Sequence, residues 1–283
     1  MKNVLLPTDF SENSWNAIKY AIHFFDGIEC GFYLLHVNSL NHFMPLDESL
    51  TFDSYYLETT YTKPTKKRLR EFLKRISKLD VNKKKHKFFV LTDIGFFIES
   101  MRKIIKEKQI DLIVMGTKGA SGFNKIILGT NTADVITKVK CNTLAVPENA
   151  EFVPPMEIAF PTDLNLGYNL NVLQPVSELV ESFNASIRIL HINKDKSPLK
   201  REQEQNKALI EDYFNNTENS FHYLSNKKVE DAVQCFVESR DIDLICMVAK
   251  NLNYFQQIFF HSRVEKISYH TDKPFLVLHE KNQ

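Results

Sequence analysis

The sequence predicts an α/β protein made of two domains in series, each a five-stranded parallel sheet with helices on both faces. Three observations carry this. The chain has 283 residues, about twice the length of an ordinary domain. Its two halves repeat one another. Within each half, short apolar runs alternate with longer amphipathic stretches, the pattern of strands buried on both faces and joined by helices.

The repeat is read by laying the halves together. VLLPTDFSENS opens one half and IAFPTDLNLGY the other, with Thr8 against Thr162 and Asp9 against Asp163, an offset of 163 − 9 = 154. FYLLHVN then aligns with IRILHIN, bringing His36 against His191. KQIDLIVMGTKG aligns with RDIDLICMVAKN, bringing Asp111 against Asp243 at an offset of 132. NTLAVPE resembles KPFLVLHE. The first half therefore holds a surplus. Residues 38–66 are polar, aromatic and without clear period, which reads as a long loop or lid. Glu148, Asn149, Glu151, Pro154 and Pro155 make a short, stiff, polar joint. The domains are placed at 1–148 and 155–283.

In the first half, Val4–Leu6, Phe32–Val37, Phe88–Leu91, Leu112–Met115 and Thr143–Val146 are nearly continuous apolar runs and read as strands. Asn13–Phe25, Pro64–Leu79, Phe96–Glu107 and Asn131–Val139 carry apolar residues at three- and four-residue spacing and read as helices. Trp15, Ile18, Ile22 and Phe25 form the inner face of the first helix, and Ser11 is its expected N-cap. The second half repeats the order, with strands at Glu157–Phe160, Ile187–Ile192, Phe221–Leu224, Leu244–Val248 and Phe275–Leu278. Such sheets bind ligands beyond the carboxyl ends of their strands, where strand order reverses. That rule points to Pro7-Thr8-Asp9 after the first strand and to Met115-Gly116 after the fourth.

Composition narrows the function classes. Hydrophobic residues make up 43% and charged residues 25%, which excludes disordered and fibrous classes. Lys plus Arg is 36 and Asp plus Glu is 35, so no nucleic-acid footprint or membrane-surface role is expected. No apolar run approaches the roughly 18 residues of a spanning helix. The opening MKNVLLPTDFSENS is too short in its apolar part for a secretory leader, so a cytoplasmic protein is expected. Cys30, Cys141, Cys235 and Cys246 are widely spaced with no CxxC pair, as in a reducing compartment.

The informative chemistry follows the fourth strand. GTKGASGFNKIILGTNTADVI holds Gly116, Gly119, Gly122 and Gly129, four of the eight glycines in the chain. Thr130, Asn131 and Thr132 then open a helix. Glycine leaves the backbone bare to an approaching phosphate, and a helix N-terminus adds unpaired N–H groups and a partial positive charge. Thr130 and Thr132 add hydroxyls, and Lys118 adds a charge.

These residues resemble the universal stress protein family, in its tandem two-domain form. The family's ATP-binding pattern is G-x2-G-x9-G-(S/T). Gly116, Gly119, Gly129 and Thr130 fit its spacing, LLPTDFSENS resembles its opening strand with a nucleotide-contacting Asp, and LAVP its last strand. The resemblance implies Rossmann-like domains of the adenine nucleotide alpha hydrolase-like type. It implies ATP bound in the first domain, with Mg²⁺ as a companion ion. Pro7, Thr8 and Asp9 would lie beside the ribose or metal, main-chain groups of Val37 beside adenine, and Met115, Gly116, Lys118, Gly119, Gly129, Thr130, Asn131 and Thr132 around the phosphates. It further implies last strands that pair, here Leu144–Val146 with Leu276–Leu278 in an internal pseudo-dimer, with a homodimer as a further assembly. The second half departs from the pattern, since Val248, Asn251 and Phe260 stand where Gly116, Gly119 and Gly129 stand. It is expected to have lost phosphate binding. A regulatory or sensing role follows, with a nucleotide-independent scaffold and a slow ATP hydrolase as the competing readings.

Plainer roles stand beside these. Asp9 and Asp163 suit turns or helix caps. His36 and His191, at apolar strand ends, suit structural hydrogen bonds. Tyr55, Tyr56 and Tyr61 suit a lid or a cover for the core. Arg68, Arg70, Lys74 and Arg75 look like the wet face of a helix, and Lys83, Lys84, Lys85 and Lys87 like a solvated turn.

Overall fold

The computed structural model describes residues 1–39, 54–117, 129–165, 169–193, 198–226, 229–249 and 272–280. In the first half the elements are β1 (Lys2–Pro7), α1 (Glu12–Phe24), β2 (Cys30–Ser39), α2 (Ser54–Leu57), α3 (Lys63–Ile76), β3 (His86–Gly95), α4 (Phe97–Lys108), β4 (Leu112–Gly116), α5 (Thr130–Lys138) and β5 (Asn142–Val146). The second half holds β6 (Glu157–Thr162), α6 (Gln174–Phe183), β7 (Ser186–Asn193), α7 (Arg201–Tyr213), β8 (Asn219–Ser225), α8 (Val229–Ser239), β9 (Leu244–Val248) and β10 (Phe275–Leu278).

The ten described strands join one sheet in the order β3-β2-β1-β4-β5-β10-β9-β6-β7-β8. Neighbours within each half are parallel. β5 and β10 are antiparallel, with Leu276 opposite Leu144. The expected contact between the last strands is thus present, and it merges two five-stranded sheets into one.

Side-chain alternation sorts the apolar runs onto two faces. Val4, Leu6, Phe32, Leu34, Leu144 and Val146 point to the face covered by α1 and α3. Leu5, Leu35, Ile113 and Met115 point to α4 and α5. The first face continues across the seam into Ile158, Phe160, Val176 and Phe214 as a single core. The second is split, and the part in the second half gathers around α8. Each fully buried Leu, Ile or Phe stabilises the fold by about 1.5–3 kcal/mol relative to exposure.

The repeat is written into hydrogen bonds and backbone angles. The Thr8 hydroxyl accepts the Phe10 N–H, and Thr162 accepts that of Leu164, both at 3.0 Å. Phe10 and Leu164 both sit at positive φ, 65° and 60°. Asp111 accepts the Asn3 N–H at 3.0 Å, and Asp243 accepts that of Glu157 at 3.1 Å.

Two expectations are corrected. Residues 54–62, read as loop or lid, are helical: α2 runs through one π-helical stretch (Glu58–Thr62) straight into α3. They lack an apolar period because none of residues 55–62 is buried. Residues 40–53 lie outside the described part. Nor is the basic face of α3 merely wet. The Arg68 guanidinium lies 3.9 Å from the Phe10 ring centroid and that of Arg75 4.1 Å from Trp15. Arg75 also grips Glu12 with two 3.0 Å hydrogen bonds.

Candidate functional site

β1 and β4 are neighbours whose connections leave in opposite directions: β2 lies beyond β1 and β5 beyond β4. Their carboxyl ends therefore part and leave a crevice, of about 340 Å³. From β1 come Pro7, Thr8 and Asp9; from β2, Leu35, His36 and Val37; from β4, Met115 and Gly116. Gly129, Thr130, Asn131 and Thr132 close it from the start of α5, and Ser14 and Phe97 complete the wall. The expected residues Pro7, Thr8, Asp9, Val37, Met115, Gly116, Gly129, Thr130, Asn131 and Thr132 all meet at this one place. Lys118 and Gly119 lie outside the described residues, as does Gly122.

The β1 turn is built by a chain of hydroxyls. Thr8 is buried, 6% exposed, and its Oγ1 lies 2.8 Å from Ser14 Oγ, which donates to the Ser11 carbonyl. Ser14 has one proton, so Thr8 donates and Ser14 accepts. Ser11 caps α1 by accepting the Ser14 N–H at 3.1 Å, as its sequence position predicts. Asp9 accepts the Ser11 N–H at 3.0 Å in an Asx turn.

His36 supports this turn from below. Its ring nitrogen Nδ1 donates to the Thr8 carbonyl at 2.7 Å, which leaves Nε2 as the acceptor of the neutral ring. Burial holds its pKa below the ordinary histidine value, with the Arg68 charge adding to the effect and the Thr8 bond opposing it. The Phe10 ring lies against it in a tilted arrangement, with centroids 4.5 Å apart. His191 repeats the arrangement with the Thr162 carbonyl at 3.1 Å, and its pKa is lowered by burial as well. Both histidines are thus structural braces, and His36 lines the crevice in addition.

The β4 side shows two different glycines. A Cβ on Gly116 would stand 2.4 Å from Asn13 Nδ2. Gly116 is therefore required by the packing of Asn13, which is 6% exposed. Gly129 has φ −55° and ψ 146°, a conformation any L-residue adopts. Its N–H donates to the Thr117 carbonyl, so the chain that departs after Thr117 returns to the same point. The first helical bond of α5 runs from Ala133 N to Gly129 O. The helix itself therefore uses none of the N–H groups of Thr130, Asn131 and Thr132. The Thr132 hydroxyl donates to the Gly116 carbonyl at 2.8 Å and is buried. Its hydroxyl thus ties β4 to α5 at the wall of the crevice.

Sequence reasoning missed Ser14, Leu35 and Phe97 on the wall. Ser14 carried a readable signal, within the first turn of the helix that follows PTD, a tripeptide repeated in both halves. Phe97 carried none. Tyr55, Tyr56 and Tyr61 are not among the described lining residues. Tyr55 is 68% exposed, and the Tyr56 and Tyr61 rings pair with each other at 6.2 Å.

In the second half, amides of α7 engage the turn matching Asp9. Gln203 donates to the Asp163 carbonyl at 2.9 Å and Asn206 to that of Leu164 at 2.8 Å. Val248 ends β9 where Gly116 ends β4. Asn251 and Phe260 lie outside the described residues.

A helix-capped crevice at a strand switch point belongs to many α/β proteins, and comparison with known proteins narrows it. The model of the Universal stress protein family matches residues 1–147. Universal stress protein MJ0531 of Methanocaldococcus jannaschii is 29% identical over 149 residues, 51% of this chain and 81% of that protein. Universal stress protein MJ0577 of the same organism is 28% identical over 157 residues, covering 51% of this chain and 94% of that protein. A universal stress protein structure from Archaeoglobus fulgidus superposes over 97% of both chains, with a TM-score of 0.71 at 19% identity. A putative universal stress protein from Pseudomonas aeruginosa gives 0.58 at 11% identity, over 98% of this chain and 93% of its own. These two carry the fold alone, but they carry it through both halves. With its first half matching the family model and its whole length following the family's fold, the chain belongs to the universal stress protein family.

Proposed function

We propose that the first half binds an adenine nucleotide, ATP by preference, in the crevice between β1, β4 and α5, and that the protein acts as a nucleotide-responsive regulator in stress. One observation carries this: Gly129 brings the chain back to Thr117, so that the Gly-x2-Gly-x9-Gly-Thr segment begins and ends at the mouth of the same cavity. The N-terminal N–H groups of α5 would meet phosphate oxygens, with Thr130 as a hydroxyl donor. Lys118 and Gly119 would complete the cradle. Val37, at the end of β2, would meet the base. Asp9 is the carboxylate on the described wall, and it suits a ribose hydroxyl or the magnesium of a nucleotide. Magnesium would offset phosphate charge there.

The second half we read as a structural partner, with domains at 1–148 and 155–283 held as an internal pseudo-dimer. The α7 amides on the Asp163 turn and the Val248 side chain support that reading.

The test is calorimetric titration of the purified chain with ATP, ADP and AMP, together with ion exchange of the supernatant after denaturation. Gly129→Phe copies the residue of the second half. The backbone at 129 accepts it without strain, so the variant is expected to keep its melting temperature and to lose ATP affinity at least tenfold. Equal binding by both proteins would remove the cradle. A flat titration with all three nucleotides would favour a nucleotide-independent scaffold.

A further inference from the structure

The charge of the chain is balanced in total and uneven in place. Residues 63–87 hold 12 of the 36 Lys and Arg, with Glu71 and Asp80 as the acids among them. This segment, α3 and the turn into β3, therefore carries +10 (12 − 2). The whole chain carries +1, so the remainder carries −9 (1 − 10). The positive part sits at one edge of the molecule, because β3 is the end strand of the sheet and α3 packs on β2 and β3.

Helical geometry lines part of it up. Lys63, Lys67, Arg70 and Lys74 recur at four- and three-residue spacing and share a face, flanked by Lys66 and Lys78. All six are exposed. Leu69, Phe72 and Ile76 turn inward to the core, and Arg68 and Arg75 lean to the other flank, on Phe10 and Trp15. Lys63 meets Glu58 at 3.8 Å, with both side chains more than half exposed. Lys66, Lys67, Arg70, Lys74 and Lys78 form no ion pair among the described residues. The fold does not require such a stripe. The matching helix of the second half, α7, sets Arg201 and Lys207 against Glu202, Glu204, Glu211 and Asp212. In α3 the pairs Lys63–Lys67, Lys66–Arg70 and Arg70–Lys74 place like charges four residues apart, a spacing that weakens a helix.

We propose that the outer face of α3 is a docking surface for double-stranded DNA, held through its phosphates without reading of bases. From Lys63 to Lys74 the stripe runs about 16 Å at 1.5 Å per residue, a length over which one strand presents about five phosphates. The surface suits a duplex better than other polyanions. Leu69, Phe72 and Ile76 are engaged in the core, so they are not available to enter a lipid surface. No aromatic side chain stands in the stripe to stack a single-stranded base or to anchor a protein partner. The negative remainder of the molecule repels the duplex elsewhere, which fixes the edge that meets it. None of these residues lines the crevice, so the proposal is independent of the nucleotide reading.

The experiment is fluorescence anisotropy of a labelled DNA duplex of about 24 base pairs, titrated with the full chain from about 50 to 200 mM salt. Saturable binding is expected, equal for two unrelated sequences. Log K should fall on log salt with a slope of about −4 to −5, since each phosphate contact adds about −0.9. Lys67→Gln, Arg70→Gln and Lys74→Gln together are expected to weaken binding at least tenfold at the lowest salt and to make the slope shallower by about 2.7. Melting temperature and ATP titration should stay as in the parent. Lys106→Gln, Arg201→Gln and Arg240→Gln together remove as much charge elsewhere and should leave affinity within about threefold. No saturable binding at the lowest salt, an unchanged slope in the α3 variant, or equal losses in both triple variants overturns the proposal. Tighter binding to a single strand of the same length, or to phosphatidylserine vesicles at the same salt, overturns duplex DNA as the occupant.

Discussion

At the scale of single residues, Gly116 and Gly129 show that one motif serves two physical purposes. Gly116 yields its side-chain volume to Asn13, whose amide stands 2.4 Å from where a Cβ would be. Gly116→Ala is therefore expected to destabilise the fold by about 1–3 kcal/mol, the usual cost of overpacking. Adding Asn13→Ala should recover part of it. Urea unfolding of the single and double variants measures this, and a Gly116→Ala protein as stable as the parent would contradict the packing role. Gly129, with φ −55°, is not held by backbone strain, so its replacement is aimed at binding. The sequence marked both glycines by spacing alone. It held no sign that they differ, because the Asn13 contact joins residues about a hundred positions apart.

At the scale of elements, α3 is held to the β1–α1 turn by side chains one helical repeat apart. Arg68 and Arg75 are seven residues apart and so share a face. One stacks on Phe10 and the other on Trp15. Arg75→Ala is expected to cost about 1 kcal/mol, chiefly through the stack on Trp15. Glu12→Ala should cost less, because the Glu12 side chain is 78% exposed and an exposed ion pair contributes little. Arg75 does hold the Glu12 pKa below its ordinary value. Thermal melts of both variants compare the two, and a larger loss for Glu12→Ala would reverse the ranking. The inner strands were legible because they are apolar runs buried on both faces, as in VLLP from Val4 and LIVM from Leu112. The α2 segment was not, since its Tyr55 and Tyr56 side chains lie exposed instead of facing the core.

At the scale of the whole molecule, four histidines make stability depend on acid. His36, His191, His222 and His279 all have lowered pKa values, and burial is the largest cause in each. In the unfolded chain these groups bind protons below the ordinary value of 6.5, while the folded chain resists until lower pH. The unfolded state therefore holds more protons in that window, and stability rises with pH across it. For His279 the window extends down to about 4. Urea midpoints are expected to fall steadily from pH 7 to pH 4, and His279→Gln should flatten the slope. A midpoint constant over that range would contradict the buried, neutral assignment. His36 and His191 were readable from sequence as strand-end residues, but their burial depends on Thr8 and Thr162, which only the fold brings beneath them; His222 and His279 carried no such signal. The crevice was readable almost entirely, because strand order and the glycine spacing both point to it.

The antiparallel contact of β5 with β10 joins parts of a single polypeptide. Their encounter is therefore unimolecular, and no dilution within the lifetime of the chain separates them. A cell that makes little of this protein still holds every copy assembled, and the ratio of one lobe to the other is fixed by translation alone.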